Sequence, residues 1–485
     1  MNGALGCKPK SLSFWFCSPP PTPAVFAEVV RWFRLCVTIS VEVLLLFLLF
    51  FSFAEQNCCG TDRESVAVEG DIEDRISVLP RNVIDCILEL LPVKEAAKTC
   101  TLSKSWRYVW SELPKMVLDY EFCDELIEES ESKFREVVDE ILLLHMSKIV
   151  KFVLDVRVED LASYAAIDRW VLYATRNSVK KLSLRISKID DRTYTLPPCV
   201  FHCPTLTQLE IASCSFKPPS SFLGFPNLVT LRLASITFSE SCVIKAPLLA
   251  NLILNCCDGM QYLNIVSPVL KSLNVCYRHS YIALNCFMNC KNLRDLGLVF
   301  AEVVDNPNHN RRSTLENLLV SLPALEILLL DSLFIEFLIA EVVPSNGPPF
   351  MLNCLRSLSL SVDFDKLGHI SYVLQLIKCS SNLSVLEILV KGTNDNVEAF
   401  LKCLKTPGCL QLPLNKLEYV SFFGFACPKC VLIFAMIFLS QAPSLLRIFI
   451  EQPIGFDFRN ADIELSRLPR ASPKAELVCD LRVGS

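Results

Sequence analysis

"LTQLEIASCSFKPPSSFLGFPNLVTLRLASITFSESCVIKAPLLANLIL" (Leu206–Leu254) carries one motif three times. Leu206-x-x-Leu209-x-Ile211, Leu228-x-x-Leu231-x-Leu233 and Leu249-x-x-Leu252-x-Leu254 all follow L-x-x-L-x-L. Further out the motif returns as "LKSLNV" from Leu270, "LRDLGL" from Leu293, "LEILLL" from Leu325, "LRSLSL" from Leu355 and "LSVLEI" from Leu383. Weaker copies stand at the ends: "IVKFVL" from Ile149, "VKKLSL" from Val179, "LEYVSF" from Leu417 and "LLRIFI" from Leu445. The fourth residues of these twelve copies fall at 152, 182, 209, 231, 252, 273, 296, 328, 358, 386, 420 and 448, in steps of 21 to 34. Alternation at the end of each copy predicts a short strand buried on one face, and the leading Leu fills the interior of a coil. One unit cannot bury its own stripe, so neighbours stack and share a core. The predicted fold is α/β, a leucine-rich-repeat solenoid with a parallel sheet on its concave side.

The totals agree with a recognition protein. The 485 residues suffice for two or three domains or one long array. A net charge of −5 and an isoelectric point near 5.7 give no general attraction to nucleic acid. The mean hydropathy of +0.39 is high and comes from dense leucine and one apolar run near the start. The 24 Cys are scattered through apolar runs, as at Cys276 and Cys354, and read as reduced core thiols. Cys427-Pro-Lys-Cys430 has no second pair beside it and does not make a zinc site. Phosphate-loop, G-x-S-x-G, H-E-x-x-H and EF-hand patterns are missing from the sequence. Acidic pairs such as Asp190-Asp191 read as solvated loops. A long curved surface without catalytic motifs points to binding another macromolecule, with no cofactor and no metal implied.

Upstream lies "LPRNVIDCILELLPVKEAAKTCTLSKSWRYVW" (Leu79–Trp110). Ile84, Ile87, Leu88 and Leu91 share one helical face. Asn82 is placed to cap that helix, Pro92 to stop it, and a second helix fits Val93–Cys100. A third helix is expected from Ser103, with Trp106 and Trp110 at i, i+4. Three short helices make a marginal core, which a partner covering the remaining apolar surface would stabilise.

The residues Leu79-Pro80, Ile87-Leu88, Leu91-Pro92, Lys94, Ala96, Thr99, Leu102-Ser103-Lys104, Trp106-Arg107 and Trp110 resemble the F-box. The resemblance is to plant F-box proteins that also carry leucine-rich repeats and a C-terminal FBD domain. "LPPCVFHCPTLTQLEIASCSF" and "GFPNLVTLRLASITF" look like that family's first central repeats, and "RLPRASPKAEL" (Arg467–Leu477) is similar to its C-terminal signature. Two positions depart: Arg81 stands where the family usually has an acidic residue, and Ser105 where Arg is common. Both change charge at the edge of the surface expected to face the adaptor. The resemblance implies a non-catalytic substrate receptor of an SCF-type ubiquitin ligase. The F-box would dock on the adaptor that joins it to the cullin complex, and the repeats would capture a target protein. The adaptor-binding residues it implies are Leu79, Pro80, Ile84, Ile87, Leu88, Leu91, Pro92, Leu102, Ser103, Trp106, Arg107 and Trp110.

The expected organisation is an extension over 1–70, the F-box over 71–115, a linker helix over 116–145, repeats over 146–413 and FBD-like repeats over 414–482. In the linker, Phe134, Val137, Val138, Ile141 and Leu142 share a helical face suited to capping the first end of the solenoid. Residues between the repeat leucines should face the concave side: Gln208 and Glu210, Thr230 and Arg232, Asn251 and Ile253, Ser272 and Asn274, Asp295 and Gly297, Ile327 and Leu329, Ser357 and Ser359. Thr230, Arg232, Ser272, Asn274, Ser357 and Ser359 are the candidate target-binding residues among them.

One stretch conflicts with a cytoplasmic or nuclear protein. "LCVTISVEVLLLFLLFFSFA" (Leu35–Ala54) is 20 residues long with only Glu42 against insertion. Lys8, Lys10, Arg31 and Arg34 precede it and acidic residues follow, so the positive-inside rule would send the F-box across a membrane. Three resolutions stand: residues 1–60 are a gene-model artefact or do not insert, the chain is a lumenal or secreted leucine-rich binding protein without a ubiquitin role, or the segment is a membrane tether inserted against the charge rule. The artefact reading is preferred, although the next Met after Met1 is Met116, so a corrected start would need a different first exon.

Overall fold

The structure, a computed structural model, describes residues 81–102, 104–156, 163–187, 193–238, 240–278, 287, 290–300, 312–339, 351–392, 412–424, 428–451 and 470–480. Leu35–Ala54, Leu79, Pro80, Ser103, Asp190, Asp191 and Cys427 lie outside these. The chain divides into two compact units, Met1–Leu113 and Pro114–Ser485.

The second unit is built on a 14-stranded sheet whose spatial order is its chain order. The strands are β1 Lys115–Leu118, β2 Lys151–Val156, β3 Lys181–Ile186, β4 Gln208–Ala212 and β5 Thr230–Ala234. They continue as β6 Asn251–Asn255, β7 Ser272–Tyr277, β8 Asp295–Phe300, β9 Ile327–Leu330 and β10 Ser357–Asp363. The last four are β11 Val385–Lys391, β12 Tyr419–Phe423, β13 Arg447–Glu451 and β14 Glu476–Asp480. Every neighbouring pair is parallel, and the register is that of the motif. Leu209, Leu231, Leu252 and Leu273 are successive partners, followed by Leu296, Leu328, Leu358 and Leu386. All twelve predicted centres, from Phe152 to Ile448, occupy this one buried row. Burying each such side chain contributes about 1.5–3 kcal/mol.

Ahead of β2 to β13 the turn repeats a forked hydrogen bond to the previous coil. The N–H groups of Val229 and Thr230 both donate to the Thr207 carbonyl, and those of Ala250 and Asn251 to the Val229 carbonyl. Polar residues just before the leading Leu add side-chain bridges. Asn227 Nδ2 donates to Pro204 O at 2.9 Å, Asn292 Nδ2 to Pro268 O at 2.9 Å and Asn382 Nδ2 to Asn353 O at 2.6 Å. Just past β4, β5 and β6 the chain turns through left-handed residues, Ser213, Ser235 and Cys256, with φ of 58, 52 and 51°. Their N–H groups donate to the next coil, at Ala234, Asn255 and Cys276.

Step length decides what crosses the convex side. Among the described residues, the 21-residue steps from Leu231 to Leu252 to Leu273 hold no α-helix, only extended chain and one 3-10 turn, Met260–Tyr262, and Cys242–Lys245 pairs in parallel with Leu263–Val266 as a small second sheet. Longer steps hold helices, among them Ala165–Arg176, Ser332–Ile339, Leu367–Lys378 and Pro428–Gln441.

The solenoid begins earlier than the sequence indicates. The expected linker helix over 116–145 is instead β1 followed by two helices, Tyr120–Glu129 and Glu131–Leu144. Met116 pairs with Phe152, so this segment is itself the first repeat. The break falls at Ser130, whose backbone is extended and whose Oγ accepts from Lys133 N at 3.1 Å, an N-cap. Phe134, Val138, Ile141 and Leu142 are buried as the periodicity predicts, and Val137 is half-buried. Phe134 meets the Trp170 ring edge-on at 5.3 Å, and Asp139 accepts from Trp170 Nε1 at 2.6 Å, fastening this repeat to the next.

In the first unit, α1 (Arg81–Leu88) starts at Arg81, so Asn82 lies in its first turn rather than at its cap. Pro92 is the N-cap of α2 (Val93–Lys98), and the chain continues into a 3-10 turn, Thr99–Thr101. The expected third helix is replaced by two 3-10 turns, Lys104–Trp106 and Trp110–Glu112.

Candidate binding surfaces

The first candidate surface is on the small module. Its α1 carries two apolar faces. Ile84 and Leu88 are buried, whereas Val83 is exposed and Ile87 half-buried one step round the helix. Trp106 and Trp110 are also buried, at 3% and 9% exposure. Of the residues expected to meet the adaptor, Pro92, Leu102 and Arg107 are exposed, and Ile87 and Leu91 half-buried. Ile84, Leu88, Trp106 and Trp110 are buried within the module itself. Sequence reasoning missed Val83, Leu90 and Tyr108, which are exposed at 38%, 41% and 57%. The spacing Val83, Ile87, Leu90 (i, i+4, i+7) was the available signal for a second face.

Arg81 is not a free charge at the module's edge. Its guanidinium reaches Asp85 Oδ1 at 2.9 Å and Glu112 Oε2 at 2.9 Å, and donates to the Val109 carbonyl at 3.2 Å. It ties the start of α1 to the end of the module. Hydroxyls inside are matched locally: Thr99 Oγ1 donates to Ala96 O at 2.6 Å and Ser111 Oγ to Tyr108 O at 2.7 Å.

The second candidate surface is the concave face of the sheet. The seven predicted pairs alternate with buried apolar side chains, as the period of two requires; Gly297 is itself buried, and the other thirteen residues are half-buried or exposed. Thr230 and Arg232 on β5, Ser272 and Asn274 on β7, and Ser357 and Ser359 on β10 lie along two register rows. Five strand spacings from β5 to β10 amount to roughly 24 Å, a long strip rather than one pocket. The polar residues bind one another. Asn251 Nδ2 donates to Thr230 Oγ1 at 3.4 Å, Asn274 Nδ2 to Ser272 Oγ at 3.3 Å, and Ser272 Oγ to Asp295 Oδ2 at 2.8 Å. Ser359 Oγ donates to Glu387 Oε2 at 2.6 Å. Gly297 leaves space for Asn274, whose Oδ1 would lie 2.1 Å from an added Cβ.

Chemistry at buried groups is quiet. Burial pushes the thiols of Cys214 and Cys257 up to about 12, and Cys123 further still with help from Asp119 and Asp155. His369, 2% exposed, is held down to about 4 chiefly by burial, so it is neutral at pH 7. Among the described residues no group of His, Cys, Asp and Glu forms a metal site, and no helix is long and apolar enough to cross a membrane.

Two family models match the chain: the F-box domain over residues 76–118, and the leucine-rich repeats of the FBD-associated F-box protein At5g56370 over residues 167–388. Neither is an enzyme domain. F-box/FBD/LRR-repeat protein At1g13570 of Arabidopsis thaliana is 28% identical over 421 residues, 84% of this chain and 99% of the relative. FBD-associated F-box protein At4g10400 of the same plant is 23% identical, over 72% of this chain and 87% of its own length. A third Arabidopsis relative, putative F-box/FBD/LRR-repeat protein At5g52460, is 33% identical over 38% of this chain and 44% of its own. The F-box match, the repeat match that follows it and the near full-length likeness make the chain similar to plant F-box/FBD/LRR-repeat proteins.

Proposed function

We propose that this protein is the substrate-recognition subunit of an SCF-type cullin-RING ubiquitin ligase, working in the cytoplasm or nucleus. The observation that carries this reading is the pairing of an F-box with a long solenoid whose outward strand positions form a continuous face. The exposed apolar residues Val83, Leu90, Leu102 and Tyr108, with Pro92, supply the adaptor contact. Ile84, Leu88, Trp106 and Trp110 hold those residues in place. The concave strip, including Thr230, Arg232, Ser272, Asn274, Ser357 and Ser359, meets the target protein. The chain itself makes and breaks no bond; it holds a target lysine near a charged conjugating enzyme.

Co-expression with an SCF adaptor tests the reading. The full chain should co-purify with the adaptor, and Leu102→Asp with Tyr108→Asp should abolish this without altering the circular dichroism of the chain. A folded parent chain that captures no adaptor would refute it.

A lumenal or secreted binding protein is the competing reading, favoured by Leu35–Ala54 alone. The sequence's N-x-S match, Asn382-Leu383-Ser384, is already engaged in the fold. Asn382 Nδ2 donates to Asn353 O, and its Oδ1 accepts from Lys416 Nζ at 2.6 Å. Protease protection in microsomes separates the two.

A further inference from the structure

The concave face changes character toward its last strands. Around β5 to β7 most outward side chains are polar and several bind one another, whereas β11 to β13 set Leu389, Tyr419, Phe423 and Phe449 outward among polar residues. Leu389 and Tyr419 are 44% and 42% exposed. Phe423 and Phe449 are half-buried, with their rings 5.9 Å apart. Leu389 and Phe423 are register partners on adjacent strands, so these four side chains form one ledge.

Two carboxylates stand beside it. Glu387, on β11, accepts from Ser359 Oγ at 2.6 Å, and Glu451, on β13, accepts from Gly424 N at 3.0 Å. Gly424 ends β12 with φ of 76°, and a Cβ there would lie 2.6 Å from the Val390 carbonyl, so this N–H donor is held in place by a turn only glycine fits. Both carboxylates are half-buried, and among the described residues neither has a cation within ion-pair distance. Neighbouring charges are already matched: Lys391 sits 3.7 Å from Asp331 and Arg447 3.7 Å from Glu476. Two positioned acids beside one exposed and two half-buried aromatic rings are complementary to a cation set between apolar side chains.

The far end of the face has the opposite sign. Lys115, Lys151 and Lys181 are register partners at outward positions of β1, β2 and β3. A basic segment is therefore repelled from the first strands and drawn to the last ones.

We infer that the ledge of Leu389, Tyr419, Phe423 and Phe449, with Glu387 and Glu451, docks an extended protein segment that presents Arg or Lys between apolar residues. Adjacent strands are about 4.8 Å apart, so Glu387 and Phe449 are separated by roughly 10 Å, matching about three residues of extended chain. This deepens the proposed function, on which it rests for the identity of the occupant as a target protein.

Two synthetic peptides of about ten residues test it by fluorescence anisotropy on the full chain. One alternates Arg with Leu and Phe, and the other has Glu at every Arg. The Arg peptide should bind at least about tenfold more tightly than the Glu peptide. Glu387→Gln with Glu451→Gln should bring the two within about threefold, and Phe449→Ala should weaken the Arg peptide about tenfold. Equal binding of both peptides by the parent chain, or a preference that survives the double Gln substitution, overturns the proposal. So does a dimer in sedimentation that Phe449→Ala converts to monomer, because the ledge would then be a self-interface. Adaptor capture by the same variants keeps the two readings apart. A chain that prefers the Arg peptide through the two Glu residues but never binds an adaptor retains the ledge and loses the ligase role.

Discussion

Replacing Asp139 with Ala should loosen the first repeat from the second. Asp139 Oδ1 accepts from the indole Nε1 of Trp170 at 2.6 Å, and its Oδ2 lies 3.2 Å from Arg169 Nη2. A hydrogen bond to a charged group contributes about 1.5–3 kcal/mol, and the low end applies because the Asp139 side chain is 47% exposed. The ion pair adds at most about 0.5 kcal/mol, since Arg169 is 61% exposed. Removing the carboxylate also leaves a buried indole N–H unmatched, so the expected loss is about 2 kcal/mol. In a solenoid each repeat is held by its own fold and its neighbour's interface, so the loss should be local to the end. Hydrogen exchange should accelerate in the helix Glu131–Leu144 and in β1 and β2, with β5 to β7 unchanged. A double-mutant cycle with Trp170→Phe should give a coupling of about 1–2 kcal/mol. A loss below about 0.5 kcal/mol, with exchange in 131–144 fast in both proteins, would refute the assignment of this segment to the solenoid and return it to a loose linker.

Leu252→Ala, at a fully buried position in mid-array, should cost about 2–5 kcal/mol in urea unfolding. Arg81→Asp replaces two ion pairs and a carbonyl contact with like charges facing Asp85 and Glu112, and should lower the stability of the small module by about 1–2 kcal/mol in a thermal melt. His369 has a folded pKa of about 4 against 6.5 unfolded, so the unfolded chain takes up the proton first as pH falls. Its contribution is intact above pH 6.5 and drains away toward pH 4, so the parent should lose more melting temperature between pH 7 and 5 than His369→Gln. In alkylation mapped by mass spectrometry at pH 8, exposed Cys86 and Cys354 should label rapidly, while Cys123, Cys214 and Cys257 stay protected until denaturation.

The solenoid was legible because each coil repeats the same buried triplet, and a period of two fixes which side chains face out. The terminal strands escaped notice where the triplet weakens: β1 has Met116 at its centre, and β14 has Lys474 where the leading Leu should be. The amphipathic face over 134–142 was readable, but the break at Ser130 was not, because the polar run "EESESK" (Glu128–Lys133) suits helix and cap alike. In the F-box, spacing identified apolar residues without saying which faced inward; Ile84 and Leu88 took the core, and Leu90 and Tyr108 stayed out. Arg81 was read as an edge charge because Glu112, its partner, lies 31 residues away in the chain. Contacts of that separation leave no trace in a single sequence. The unmatched state of Glu387 and Glu451 was hidden for the same reason.

Binding of the purified full chain to an adaptor–cullin complex, followed by interferometry, tests the central claim most directly. The account predicts saturable one-to-one binding at about 1 μM or tighter, lost with Leu102→Asp and Tyr108→Asp and unchanged by Glu387→Gln with Glu451→Gln. A chain that melts cooperatively yet shows no saturable binding at tens of micromolar would contradict it.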